Sequence, residues 1–235
     1  MRLTPDQLVI FETAGMPINA TLVFSWALML LMVVGSWLVT RRITSDVEIS
    51  QGQNLLEVIV TGIRDQIRDM GVQRPELYLP FIGTLFLFIA LANIFAALVP
   101  GFEAPTGSLS TTAALALVVF VAVPVFGIAQ QGLRGYLRQY IEPTPLMLPM
   151  NVIGELSRTL ALAFRLFGNI MSGALIVGLL LALAPFFFPI VMRLLGLLTG
   201  LVQAYIFAVL AMVYIASATR GRTPADESEQ AAEAG

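Results

Sequence analysis

Long apolar runs separated by short polar stretches dominate the chain, and four or five of them reach the roughly 20 residues that a helix needs to cross a hydrocarbon core of about 30 Å. They lie near 20–40, 79–99, 109–130, about 148–184 and about 188–219. Between the first two, "NLLEVIVTGIRDQIRDM" sets Leu55, Ile59, Ile63, Ile67 and Met70 at helical spacing, with Arg64, Asp65, Arg68 and Asp69 opposite. That pattern predicts an amphipathic helix over 54–70, lying on the cytoplasmic membrane surface or packing its apolar stripe on neighbouring spans. In "IEPTPLMLPMN", Pro143, Pro145 and Pro149 prevent the third span from running helically into the fourth. The fourth run extends for about 36 residues, or roughly 54 Å as a helix, so it tilts, breaks or extends beyond the bilayer.

Residues 1–19 form a polar lead without the basic start and cleavage site of a signal peptide, so the first run is expected to remain as a span. The polar stretch 220–235 reads as a disordered tail. No internal repeat is visible, and residues 1–235 read as one all-α integral membrane domain ending in a long helical hairpin over 148–219.

Composition agrees: 57% of the residues are hydrophobic and 12% charged, with a mean hydropathy of +0.85. All 13 basic residues are arginine. Arg41, Arg42, Arg64, Arg68 and Arg74 follow the first span, Arg134 and Arg138 the third, Arg220 and Arg222 the fifth, whereas "PGFEAPTGSLS" after the second has none. The positive-inside rule then predicts an extracytoplasmic N-terminus and a cytoplasmic C-terminus. A formal charge of −2 gives no reason to expect nucleic acid as a partner. The chain has no cysteine and no histidine, which removes thiolate and imidazole chemistry and the usual metal ligands; no cofactor or metal is expected.

One residue conflicts with this apolar background. Arg165, in "AFRLFGN", lies roughly 24–30 Å along the helix from Pro149 and from Pro185, too deep for its head to snorkel to an interface. A central arginine costs about 2.5–3.5 kcal/mol on insertion scales, which calls for a partner or a wet cavity. The nearest acid in that run is Glu155; ten residues amount to roughly 15 Å and a turn of about 280°, so it faces elsewhere. Arg158 is the nearer match for Glu155, at i+3. A countercharge for Arg165 is therefore expected from another subunit. Arg158, Asn169 and Ser172 share its stripe, and Gln203, Tyr214 and Ser217 align similarly in the last run. Polar groups of this kind also serve simply to bond helix to helix.

"RLFGN" within "NVIGELSRTLALAFRLFGNIMSG", followed by "GLVQAYIFAVLAMVYIASA", resembles subunit a of the rotary F-type ATP synthases, the membrane stator beside the c-ring. The likeness runs from about residue 77 to 219. It implies that Arg165 is the essential stator arginine, that Asn169 and Gln203 are polar residues beside it, and that Asn151 and Glu155 mark the polar cytoplasmic end of the same helix. Asn93 resembles an asparagine lining the outer ion path. The resemblance further implies a bacterial inner-membrane location, two ion half-channels, and a c-ring carboxylate and the peripheral-stalk subunit b as partners, with protons or sodium as the ion. Ser172 and Tyr214 join the ion path on this reading.

Several positions depart from the family pattern. Ser108 stands where the family often has an acid, Ser110 where an asparagine is usual, and Ala174 and Gly196 where many members carry glutamate or histidine. The outer path therefore lacks titratable groups and is lined by hydroxyls and amides, a lining that also suits a hard cation. In this the chain resembles a divergent subclass, the N-type ATPases, for which sodium transport has been proposed. The chain has no P-loop and performs no phosphoryl chemistry itself. Two other classes compete: an independent secondary transporter binding an anion at Arg165, which the missing repeat disfavours, and an intramembrane enzyme, which lacks the residues to run catalysis.

Overall fold

The computed structural model describes residues 9–13, 16–41, 51–70, 74–99, 102, 104–141, 147–183 and 188–219. The expected tail at 220–235, the first eight residues and the proline-bearing stretch 142–146 lie outside them. Six helices follow one another: α1 (Ala20–Thr40), α2 (Gln51–Asp69), α3 (Pro75–Leu98), α4 (Leu109–Ile141), α5 (Met147–Leu183) and α6 (Phe188–Thr219). All but α2 are long and apolar enough to cross a membrane. Helices are what an apolar solvent demands, because each satisfies its backbone groups internally. The all-α expectation holds for this membrane body. An antiparallel hairpin of β1 (Val9–Thr13) and β2 (Met16–Asn19) precedes it, which the polar lead did not announce.

The centre of the bundle is the contact of α3 with α6. Ile89 and Ala92 of α3 and Ala204, Phe207, Ala211 and Ile215 of α6 are fully buried. The alanines let the two backbones approach closely, which is how helices gain packing energy where lipid is as apolar as their side chains. Helix α3 begins four residues before the expected 79, because Pro75 suits a first helical position, where its missing N–H costs nothing, and Glu76 favours the positive end of the helix.

Helix α4 corresponds to the span expected at 109–130, but it continues beyond a sharp break at Gly132 (φ 73°, ψ 163°), a conformation almost restricted to glycine. The break brings Tyr136 back onto Gly127, where a Cβ would lie 2.7 Å from the tyrosine ring and 3.2 Å from the carbonyl of Ala218. The Gln131 amide donates to that same carbonyl at 3.0 Å. The bend thus ties α4 to the end of α6.

Helix α2 packs part of its apolar stripe on the bundle. Ile67 is buried, Ile63 lies against Gly83, and the Tyr205 hydroxyl donates to Gln66 Oε1 at 3.0 Å. Its Arg64–Asp65 pair, 3.8 Å apart, is at least half exposed and contributes little to stability.

Candidate functional site

Helix α5, 37 residues and roughly 55 Å long, pairs with α6 as the expected hairpin. Arg165 stands at its middle, eighteen residues from each end. Leu162 and Leu166 are fully buried in the bundle, whereas Arg165 beside them is exposed. Among the described residues it makes no hydrogen bond and no ion pair. A guanidinium on an apolar helix face calls for a countercharge or a wet cavity beside it.

Towards the start of α5, a cleft of about 290 Å³ opens between α4, α5 and α6. Asn151, Glu155 and Arg158 line it from α5, at i, i+4 and i+7 on one side of the helix, and Tyr214 and Ser217 line it from α6. The expected Glu155–Arg158 pair does not form. Arg158 instead places its guanidinium 6.0 Å from the centre of the Tyr214 ring, since α6 brings an aromatic face within reach. The Ser217 hydroxyl donates to the Tyr214 carbonyl at 2.8 Å.

Towards the other end, a larger cleft of about 560 Å³ lies among α3, α5, α6 and a short 3-10 turn at Pro105–Gly107. Asn93, Asn169, Ser172, Arg193 and Thr199 supply its polar lining. Asn93 is buried and donates to the Ile89 carbonyl at 2.7 Å; Asn169 reaches Gln203 Oε1 across the hairpin at 3.4 Å. The Gln203 amide nitrogen is buried and has no acceptor among the described residues. At Gly200 a Cβ would sit 2.5 Å from Asn93 Oδ1, so only glycine admits this approach of α6 to α3. At Gly196, by contrast, a Cβ would meet nothing within 4 Å, so the wall is open there.

The ten candidate residues therefore divide by position. Asn151, Glu155 and Tyr214 share the first cleft, Asn93, Asn169 and Ser172 share the second, and Gln203 bridges to the second through Asn169. Arg165 lies between the two groups along α5. Ser108 and Ser110 bond to each other at 2.6 Å at the start of α4 but do not line the cleft; Gly107 of the adjoining turn does. Sequence reasoning passed over Arg193, although an arginine within the apolar run of the last span was a visible signal. It also passed over Gly200, whose role depends on a contact with α3 that the linear sequence does not reveal.

Residues 22–216 match the family model described as ATP synthase A chain. ATP synthase subunit a of Albidiferax ferrireducens is 60% identical over 227 residues, covering 97% of this chain and 98% of the relative. ATP synthase subunit a 2 of Acaryochloris marina is 60% identical over 220 residues, covering 94% of each. ATP synthase subunit a 1 of Chlorobaculum parvum is 60% identical over 222 residues, covering 94% of this chain and 98% of the relative.

Proposed function

Since this chain belongs to the ATP synthase subunit a family, the multi-pass membrane stator of a rotary ATP synthase, we propose that Arg165 and its two flanking clefts form the ion path across the stator–ring interface. The c-ring and subunit b are the partners that membership implies. The observation that carries the reading is the order along α5: the Glu155–Tyr214 cleft, then an exposed arginine unpaired among the described residues, then the Asn93–Ser172 cleft. The first is the cytoplasmic half-channel and the second the outer one, with the N-terminus outside and the C-terminus in the cytoplasm of a bacterial inner membrane.

An ion from outside enters the second cleft and loads a ring carboxylate, which travels round through the lipid-facing arc. As the carboxylate nears Arg165, the guanidinium favours its charged form, because an opposite charge within about 4–6 Å stabilises ionisation, and the ion leaves through the first cleft. An arginine is not deprotonated in a protein, so the charge is permanent. At 100 mV each elementary charge crossing is worth about 2.3 kcal/mol, so several crossings are needed for each ATP made elsewhere in the complex.

Because the chain contains no cysteine, a single introduced thiol reports its own accessibility. Gly196→Cys is expected to react with a membrane-impermeant thiol reagent added outside, and Ser217→Cys with the same reagent added on the cytoplasmic side. Reaction of both from one side contradicts two half-channels.

The second cleft carries no acid among its described lining residues, which supports sodium held by neutral oxygens as a second reading beside protons carried through water. ATP-driven uptake into vesicles separates them. Labelled sodium uptake that survives a protonophore identifies sodium, whereas sodium-independent acidification abolished by the protonophore identifies protons.

A further inference from the structure

The two clefts differ in charge. The first is lined by one acid and one base, Glu155 and Arg158, whereas among the described residues the only charged side chain lining the second is Arg193, which is exposed and has no ion pair among them. A cation-conducting path whose one described charged wall residue is a cation is electrostatically unexpected. Its neutral groups do not reverse this. The Thr199 hydroxyl donates to the Leu195 carbonyl at 3.0 Å, the Ser172 hydroxyl to the Asn169 carbonyl at 3.0 Å, and the Asn93 amide to Ile89, so their oxygens are left as acceptors without a formal charge.

We infer that Arg193 is an electrostatic filter at the second cleft, holding down cation occupancy there and so setting the external ion concentration at which the ring is loaded. This deepens the half-channel assignment and rests on it. The first cleft has no comparable net charge, so the filter acts on one side of the membrane only. External loading becomes the step that needs a high ion concentration or a large driving potential, while ions delivered to the outer cleft by ATP-driven rotation are released readily. The cleft is about 10 Å across if its volume is taken as a sphere. Unit charges ~10 Å apart alter ion occupancy about twofold at a dielectric of ~80 and about sixteenfold at ~20. Arg193 lies only five residues inside α6, so the competing assignment is an ordinary interfacial arginine whose charge is met by a lipid phosphate.

The test uses the whole complex in liposomes, with ATP synthesis measured against the concentration of the driving ion on the external face at fixed potential. Arg193→Gln is expected to lower the half-saturating ion concentration about two- to sixteenfold at low ionic strength. The shift should largely disappear near 1 M inert salt, where the Debye length is about 3 Å. Arg193→Lys should keep the wild-type value. Gly196→Asp, which adds an acid at an open position one turn away, should lower it as Arg193→Gln does, and serves if that variant fails to assemble. Glu103 lies outside the described residues, between Phe102 and Ala104 of the cleft wall, so the comparison is repeated in a Glu103→Gln background, with the same shift expected. An unchanged half-saturating concentration at low salt, or a shift that persists at high salt, overturns the filter. Labelling of Arg193→Cys from the two sides isolates the underlying assignment: reaction only from the cytoplasmic face overturns the half-channel assignment itself.

Discussion

Arg165→Ala abolishes ion-driven ATP synthesis and ATP-driven pumping, leaving less than about 1% of the wild-type rate, while the complex still assembles. The two halves of this expectation have separate causes. Assembly survives because the side chain is exposed on α5 and bonds to nothing among the described residues, whereas its buried neighbours Leu162 and Leu166 hold the helix in place. Coupling is lost because Arg165 is the one described charge at the middle of α5, the next, Arg158, lying seven residues away in the first cleft against Tyr214. An opposite charge nearby lowers a carboxylate pKa by about 1–3 units, which is a factor of about 10 to 1,000 in its tendency to give up an ion. Without the guanidinium, a ring carboxylate in the apolar interface keeps its ion as it passes. Lysine is an incomplete substitute, since a buried ammonium is readily deprotonated and a guanidinium is not. Synthesis rates in energised vesicles, with native gels scoring assembly, check both halves; an alanine variant that pumps normally is incompatible with the mechanism.

The second large effect is expected at a residue with no chemistry of its own. Gly200→Ala places a methyl group 2.5 Å from Oδ1 and Cγ of Asn93 and 2.8 Å from its Cβ. Asn93 has little room to turn aside, being buried and bonded to the Ile89 carbonyl at 2.7 Å. Overpacking of this kind costs about 1–3 kcal/mol, and here it pushes apart the central helix pair, α3 and α6, on which the second cleft is built. We expect a lower thermal stability of the assembled complex and a roughly tenfold fall in coupled synthesis. Asn93→Ala alone should cost less, and the double variant should recover stability beyond the sum of the single effects, as contacting residues do. A Gly200→Ala complex as stable and active as wild type contradicts the close approach.

The number of spans, their order and the long closing hairpin were legible because apolar length and proline position are local signals. Helices α5 and α6 lie within a residue or two of the expected 148–184 and 188–219. Arg165 was legible for the same reason, as a charge where the pattern required none. What escaped depends on distance between elements. Glu155 and Arg158 are correctly spaced to pair, but Tyr214, 56 residues after Arg158, offers the arginine an aromatic face instead. The bend at Gly132 lies two residues beyond the expected end of the third span, where an apolar pattern could not distinguish a helix end from a change of direction. Gly200 appears in the sequence as one glycine among 19, and only the partner helix gives it a function. Of the two placements open for the amphipathic stretch, the packing of Ile67 and the Tyr205–Gln66 bond show protein contact along part of its length.

On the proposed half-channel reading, the permanent positive charge of Arg165 repels cations between the two clefts, so ions exchange between them only by way of the ring. Passive ion flux tests it most directly, measured across vesicles that hold the complex with its ring cross-linked to the stator. The wild-type complex is expected to be ion-tight when the ring cannot turn, and Arg165→Ala to conduct under the same lock. An alanine variant as tight as wild type, or a wild-type complex that leaks with its ring immobilised, would contradict it.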